Sequence, residues 1–297
     1  MKWWHGSLVV MVIVASGCTP VDDDGAVPQV TPTEATSTTV AATTIPGAAD
    51  GDACQTGDLS FRGDGLIAAL GGIESDATGI SDIRWEPSDS CERLVISFAA
   101  GSGAPATTLG ITAVTAVPSA GFVRVSLADE VSTTSVADMR VDGSLIDRVY
   151  VVRGSDGSMF VDVIGSADAS LAVRAFVSGP PSSIVIDVID VPDRPSHSGV
   201  AVSDAAVVFS PLPGPALYPV TIDAYAQPSL RSVRVQMTNG TTMTVDRALG
   251  IEGRSDAWQA VSTRIDGGPP GPATIFVGTV DPNGRPLVGA TVAIDLP

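Results

Sequence analysis

Nitrogen bases are nearly missing from this 297-residue chain: it holds 2 histidines, His5 and His197, and one lysine, Lys2. Serine hydrolases set a base beside their nucleophile, and zinc hydrolases need several histidine and carboxylate ligands. Neither set can be assembled from a single histidine after residue 5, and no Gly-x-Ser-x-Gly elbow occurs. Aromatic side chains are also scarce, at 5% of the chain, so most are expected in cores. Positive charge is in deficit: 33 acidic side chains against 16 cationic ones leave a net charge of −17. Such a surface repels phosphate backbones and anionic headgroups, which excludes nucleic acid and electrostatic membrane binding. Lysine is absent after residue 2, a bias that a GC-rich genome explains without any physical demand for arginine.

The opening residues have the pattern of an export signal. Met1-Lys2 precedes the apolar run Leu8 to Ala15, too short to span a bilayer with ease, and Ser16-Gly17-Cys18 follows. Val14-Ala15-Ser16-Gly17-Cys18 resembles the lipobox of bacterial lipoproteins, with Ala15 where leucine is usual. The resemblance implies a signal peptide over 1–17, lipid on Cys18 and an extracytoplasmic protein anchored to the membrane. Ordinary signal-peptidase cleavage with an incidental Cys18 is the alternative. If Cys18 carries lipid, Cys54 and Cys91 are left as an even pair in an oxidising space, where a disulfide is expected. It would stabilise the fold by roughly 3–4 kcal/mol on the chain-entropy model. Two buried free thiols are the alternative, since no Cys-x-x-Cys spacing occurs.

Residues 18–53 are rich in Thr, Ala, Pro and acid, with no aromatic or basic side chain, the composition of a disordered tether. Its r.m.s. reach as a flexible coil is on the order of 30 Å. Asp64 to Leu70 predicts a short helix, capped by Asp64 and stopped by Gly71-Gly72. Runs of β-formers then predict strands over 80–86, 93–99, 111–117 and 121–127. Four more, at 149–152, 159–164, 171–177 and 184–188, recur about every 12 residues between Gly/Ser/Asp/Pro turns, the spacing of a meander in an antiparallel sandwich or barrel. Ser81-Asp82-Ile83-Arg84-Trp85-Glu86, Cys91 to Phe98 and Ser183 to Val188 resemble the AMIN-like domain of bacterial envelope proteins, over residues 54–192. The resemblance implies an all-β envelope module with no catalytic residues to carry over.

Residues 193–204, with Pro195 and Gly199, are expected to link this module to a second. In the second, Val233, Val235 and Met237 alternate with polar residues before Asn239-Gly240, after which Met243 and Val245 alternate again, predicting a two-residue hairpin. Asp281-Pro282-Asn283-Gly284 predicts another. Phe209-Ser210-Pro211, Ala257-Trp258 and Val292 to Asp295 make residues 205–297 similar to the immunoglobulin-like domain of bacterial spore-germination proteins. The fold class expected is therefore all-β, two antiparallel β-sandwich-like domains behind a disordered tether.

Candidate site residues are few. Trp85, flanked by Arg84 and Glu86, is the candidate platform for a sugar ring, while Tyr150, Tyr218, Tyr225 and Trp258 are expected in cores. Asp187, Asp190 and Asp193 crowd the module junction as candidate calcium ligands. Against that, Arg194 offsets part of the charge and strand alternation separates Asp187 from Asp190. His197 is expected in a solvated loop. No cofactor is implied. The expected function is non-catalytic binding of peptidoglycan or another wall polymer through the first module. The rivals are an envelope protein scaffold that adds a partner strand to a sheet edge and a hydrolase with an unrecognised carboxylate pair.

Overall fold

Valine, isoleucine, threonine and alanine alternate through most of the chain, and in the computed structural model these stretches pair into an all-β fold with no α-helix among the described residues. The structure describes residues 60–88, 91–141, 143–191, 200–251 and 256–297. The expected signal, the tether, Cys18, Cys54, Asp193, Arg194 and His197 lie outside them.

In chain order the first stretch forms β1 (Gly65–Leu70), β2 (Ala77–Pro87), β3 (Glu92–Ala100), β4 (Thr112–Val117), β5 (Phe122–Ser126), β6 (Thr133–Thr134), β7 (Asp138–Arg140), β8 (Ile146–Arg153), β9 (Met159–Gly165), β10 (Leu171–Ser178) and β11 (Ser183–Asp190). The second forms β12 (Ala201–Val202), β13 (Ala206–Ser210), β14 (Gly214–Pro215), β15 (Val220–Ala226), β16 (Ser232–Asn239), β17 (Thr242–Gly250), β18 (Trp258–Ile265), β19 (Gly271–Val280) and β20 (Pro286–Leu296). Ala201–Val202, within the expected linker, pairs with Val207–Val208 of β13.

A ten-stranded sheet runs β1-β4-β5-β9-β8-β18-β15-β13-β12, with β7 beside β8. Both stretches contribute to it, joined where Trp258 and Gln259 of β18 run parallel to Val152 and Arg153 of β8. One face of its first part packs on a five-stranded sheet, β10-β11-β3-β2-β6, around Leu94, Ile96, Val149, Val151, Val161 and Ile186. The same face of its second part packs on β14-β20-β19-β16-β17, around Ile222, Ala224, Val235, Ile275, Val277 and Val292. On the opposite face Phe122, Tyr150, Tyr225 and Trp258 gather in a third cluster. Five strand spacings, about 24 Å if flat, separate β5 from β13. Yet the rings of Phe122 and Phe209 lie 5.3 Å apart, so the sheet curls around this aromatic filling.

The helix expected over Asp64–Leu70 is instead strand β1. Six apolar residues carry no helical phase of their own, and pairing with β4 satisfies their backbone while Ile67, Ala68 and Leu70 pack on the core. Just before it, Arg62 exchanges backbone hydrogen bonds with Val173 of β10, so the chain joins one sheet and then the other and closes that side of the sandwich. The four-strand meander is also two hairpins: β8-β9 lies in the large sheet, whereas β10-β11 lies in the facing one. The β16-β17 hairpin forms one position later than expected, since Asn239 pairs with Thr242 and leaves Gly240 and Thr241 as the turn. Gly240 takes φ 59°, which favours glycine, and a bulge between Met237 and Thr238 absorbs the shift.

Candidate functional site

Trp85 is half-buried on β2, and its indole Nε1 donates to Glu92 Oε2 at 3.0 Å. Glu92 is itself buried and also accepts from Ser144 Oγ at 3.1 Å and from the backbone N–H groups of Leu145 and Ile146 at 2.8 and 3.0 Å. The ring is thus part of a buried polar knot that pins residues 143–146. A Cβ on Gly143 would stand 2.3 Å from Glu92 Oε2, so the loop approaches this closely because it has no side chain there. Arg84 points to solvent and pairs at 3.4 Å with Asp82, both more than half exposed.

Of the candidate calcium ligands, the described Asp187 and Asp190 are engaged separately. Asp187 is fully buried and accepts from Arg93 Nε at 2.6 Å, Arg93 NH2 at 3.0 Å and Arg174 Nε at 2.8 Å. Strand register explains the arrangement: Arg174, Asp187 and Arg93 are direct cross-strand partners on β10, β11 and β3. Asp190 is exposed and accepts from the Ser170 N–H at 3.0 Å. Asp193 lies outside the described residues. No group of three or more His, Cys, Asp or Glu side chains suited to a metal occurs among the described residues.

A third network ties the two stretches of chain together. Arg124 on β5 donates through Nε and NH2 to both oxygens of Asp162 on β9, at 2.9 and 2.8 Å. The same NH2 donates to Tyr225 on β15 at 2.7 Å, and Tyr225 in turn donates to Asp162. Its guanidinium lies 4.2 Å from the Phe160 ring centroid and 5.2 Å from that of Phe122. Burial and the neighbouring carboxylate push the Tyr225 phenol up, so it stays protonated and serves as a donor. Alongside, Trp258 Nε1 donates to Asp138 at 2.8 Å, and burial pushes the Tyr150 phenol up to about 12. Tyr150, Tyr225 and Trp258 are therefore buried, while Tyr218 is half-buried beside Gly268.

The buried carboxylates Glu92, Asp162 and Asp187 each sit among hydrogen-bond donors. A cavity of about 200 Å³ between Gly63, Asp64, Pro118, Phe122 and Leu171 is smaller than most ligand sites and has one carboxylate in its wall.

Among the described residues the exposed large apolar side chains are all aliphatic or Met, Leu66, Ile73, Ile111, Leu217 and Leu287 among them. Two long strands of the C-terminal sheet keep an edge without a full strand partner among the described residues. On β17 that edge carries Asp246 and Arg247, and Arg247 NH1 donates to the Arg264 carbonyl at 2.5 Å. On β20, paired beyond β19 by Gly214 and Pro215 alone, residues 286–294 contain no charge, and Leu287 is 64% exposed. Charge usually blunts such an edge, and β20 lacks it over 286–294, although β12 and β13 also come close to β20. Alternation in the sequence exposed the strand, but the short reach of β14 could be seen only in the fold. In comparisons with protein-family models, curated proteins and solved structures, nothing matches this chain.

Proposed function

We propose that this chain is a non-catalytic, lipid-anchored protein of the cell envelope that binds a partner protein by strand addition along β20. The observation that carries the reading is the uncharged edge of β20, with Leu287 and Val288 exposed beside it. An added strand would take its affinity from main-chain hydrogen bonds and its register from alternate side chains. The anchor at Cys18 and the extracytoplasmic location rest on the lipobox-like start, and the AMIN-like and immunoglobulin-like relationships rest on the residue patterns quoted above. A Cys54–Cys91 disulfide belongs to the same reading, supported by the buried position of Cys91 just before β3.

Wall-polymer binding is the second reading, favoured by the exposed Arg84 next to a half-buried Trp85. Sedimentation of the full chain with purified sacculi separates the two. Strand addition predicts no sedimentation with sacculi and a protein partner, cross-linked in intact envelopes, that is lost with Leu287→Lys/Val288→Lys. Sedimentation abolished by Trp85→Ala, with the β20 variant unaffected, would overturn it.

A further inference from the structure

One end of the C-terminal sandwich carries an uncharged, proline-rich loop. There β13 ends at Ser210 and β15 begins at Val220, β16 turns into β17 at Gly240-Thr241, and β18 ends at Ile265 before β19 begins at Gly271. The connecting loop Pro211–Pro219 contains four prolines, two leucines and no charged residue. Its middle is pinned to the sheet, because Gly214–Pro215 pairs with Ile294–Asp295 and the Ala216 N–H donates to the Asp295 carbonyl at 2.9 Å. Leu217 is nevertheless 74% exposed, and Leu212 and Met243 are 38% and 46% exposed. The neighbouring 266–270 loop is held by Asn239 Nδ2 donating to the Pro269 carbonyl at 3.3 Å, and its Asp266 is paired with Arg264 at 2.8 Å.

The geometry points to this rim as a second contact with the lipid surface, one that fixes how the anchored body lies on the bilayer. The inference rests on the lipid anchor proposed above, and three features of the chain select lipid over a protein. First, the proposed anchor at Cys18 would hold the described body next to headgroups through residues 18–59, so the rim would meet lipid at high effective concentration. Second, the exposed side chains of the loop are aliphatic, with no exposed Arg, Trp or Tyr of the kind that anchors protein interfaces. Third, the loop itself is uncharged in a chain of net charge −17, so its own side chains escape the repulsion from anionic headgroups, and Asp266 beside it is paired with Arg264. Prolines and backbone bonds hold the leucines outward before contact, so little ordering entropy opposes insertion.

Hydrogen exchange on the full chain tests it, with phosphatidylcholine vesicles as the probe. On vesicles the amides of Leu212, Ala216, Leu217 and Tyr218 are expected to exchange at least about threefold more slowly than in the Cys18→Ser protein without lipid. Leu217→Asp removes the slowing, whereas Ile73→Asp, at an exposed aliphatic position before β2, leaves it intact. Protein that floats with vesicles but shows unchanged exchange in the loop overturns the inference and leaves the anchor standing. Protein that fails to float overturns the anchor. The Cys18→Ser form under excess lipid then decides the rim alone, slowed exchange supporting it and unchanged exchange overturning it. Slowing that needs no lipid and grows with protein concentration assigns the rim to a second copy of the chain, and also overturns the inference.

Discussion

Asp162→Asn removes the one charge that holds Arg124 and Tyr225 together across the curled sheet. The two side chains have nearly the same volume, so no cavity opens and the effect is electrostatic. Breaking a buried ion pair by removing one partner costs about 3–5 kcal/mol. Arg124 keeps 35% of its side chain exposed, so water recovers part of that and the expectation falls to about 2–3 kcal/mol. At about 2–4 °C per kcal/mol for a body of this size, the melting temperature should drop by about 4–12 °C. Tyr225→Phe leaves the Arg124–Asp162 pair in place and should cost about 1 kcal/mol. Because the three groups share atoms, the double variant should lose less than the sum of the two. Urea titration of the four proteins measures all terms. A loss below about 0.5 kcal/mol for Asp162→Asn, or strict additivity with Tyr225→Phe, would refute the claim that this network joins the two stretches of chain.

Three further outcomes follow from other parts of the fold. Glu92→Gln turns an acceptor of four donors into a group with its own N–H₂ facing backbone N–H groups, and should lower stability by about 2–4 kcal/mol in the same titration. The Asp76 carboxyl accepts from the backbone and hydroxyls of Thr107 and Thr108, which holds it down from 3.8 to about 2. A depressed carboxylate stabilises the fold above its unfolded value, so the melting advantage over Asp76→Asn should be full above about pH 4 and fade as pH falls through 2; an advantage that grows in acid contradicts this. Calcium should leave the melting temperature unchanged, because Arg93 and Arg174 already occupy the oxygens of Asp187; a rise with calcium that Asp190→Asn abolishes would restore the junction site.

Strands were legible wherever β-branched residues ran together, as at Arg93 to Phe98 and Met159 to Ile164, because their pattern reports burial directly. Gly65–Leu70 was not, since alanine and leucine leave the local preference open and the partner that decides it, β4, lies 42 residues on at closest register. Arg124, Asp162, Arg174 and Asp187 each interrupt an apolar strand, a signal that something charged is buried there and must be paired. Which arginine meets which aspartate depends on strand order, and the reach of Tyr225 to Asp162 depends on how far the sheet curls, neither of which is local. Trp85 and Trp258 illustrate the same limit: both fill space and donate through Nε1, to Glu92 and Asp138, contacts made across the fold.

Strand addition is tested most directly by asking whether the β20 edge meets a protein in the envelope. A photoreactive residue placed at Leu287 in the full chain, irradiated in intact cells, should give a discrete protein adduct in the membrane fraction that disappears with Val288→Lys. Cross-linking to wall material instead, or an adduct indifferent to Val288→Lys, would contradict it.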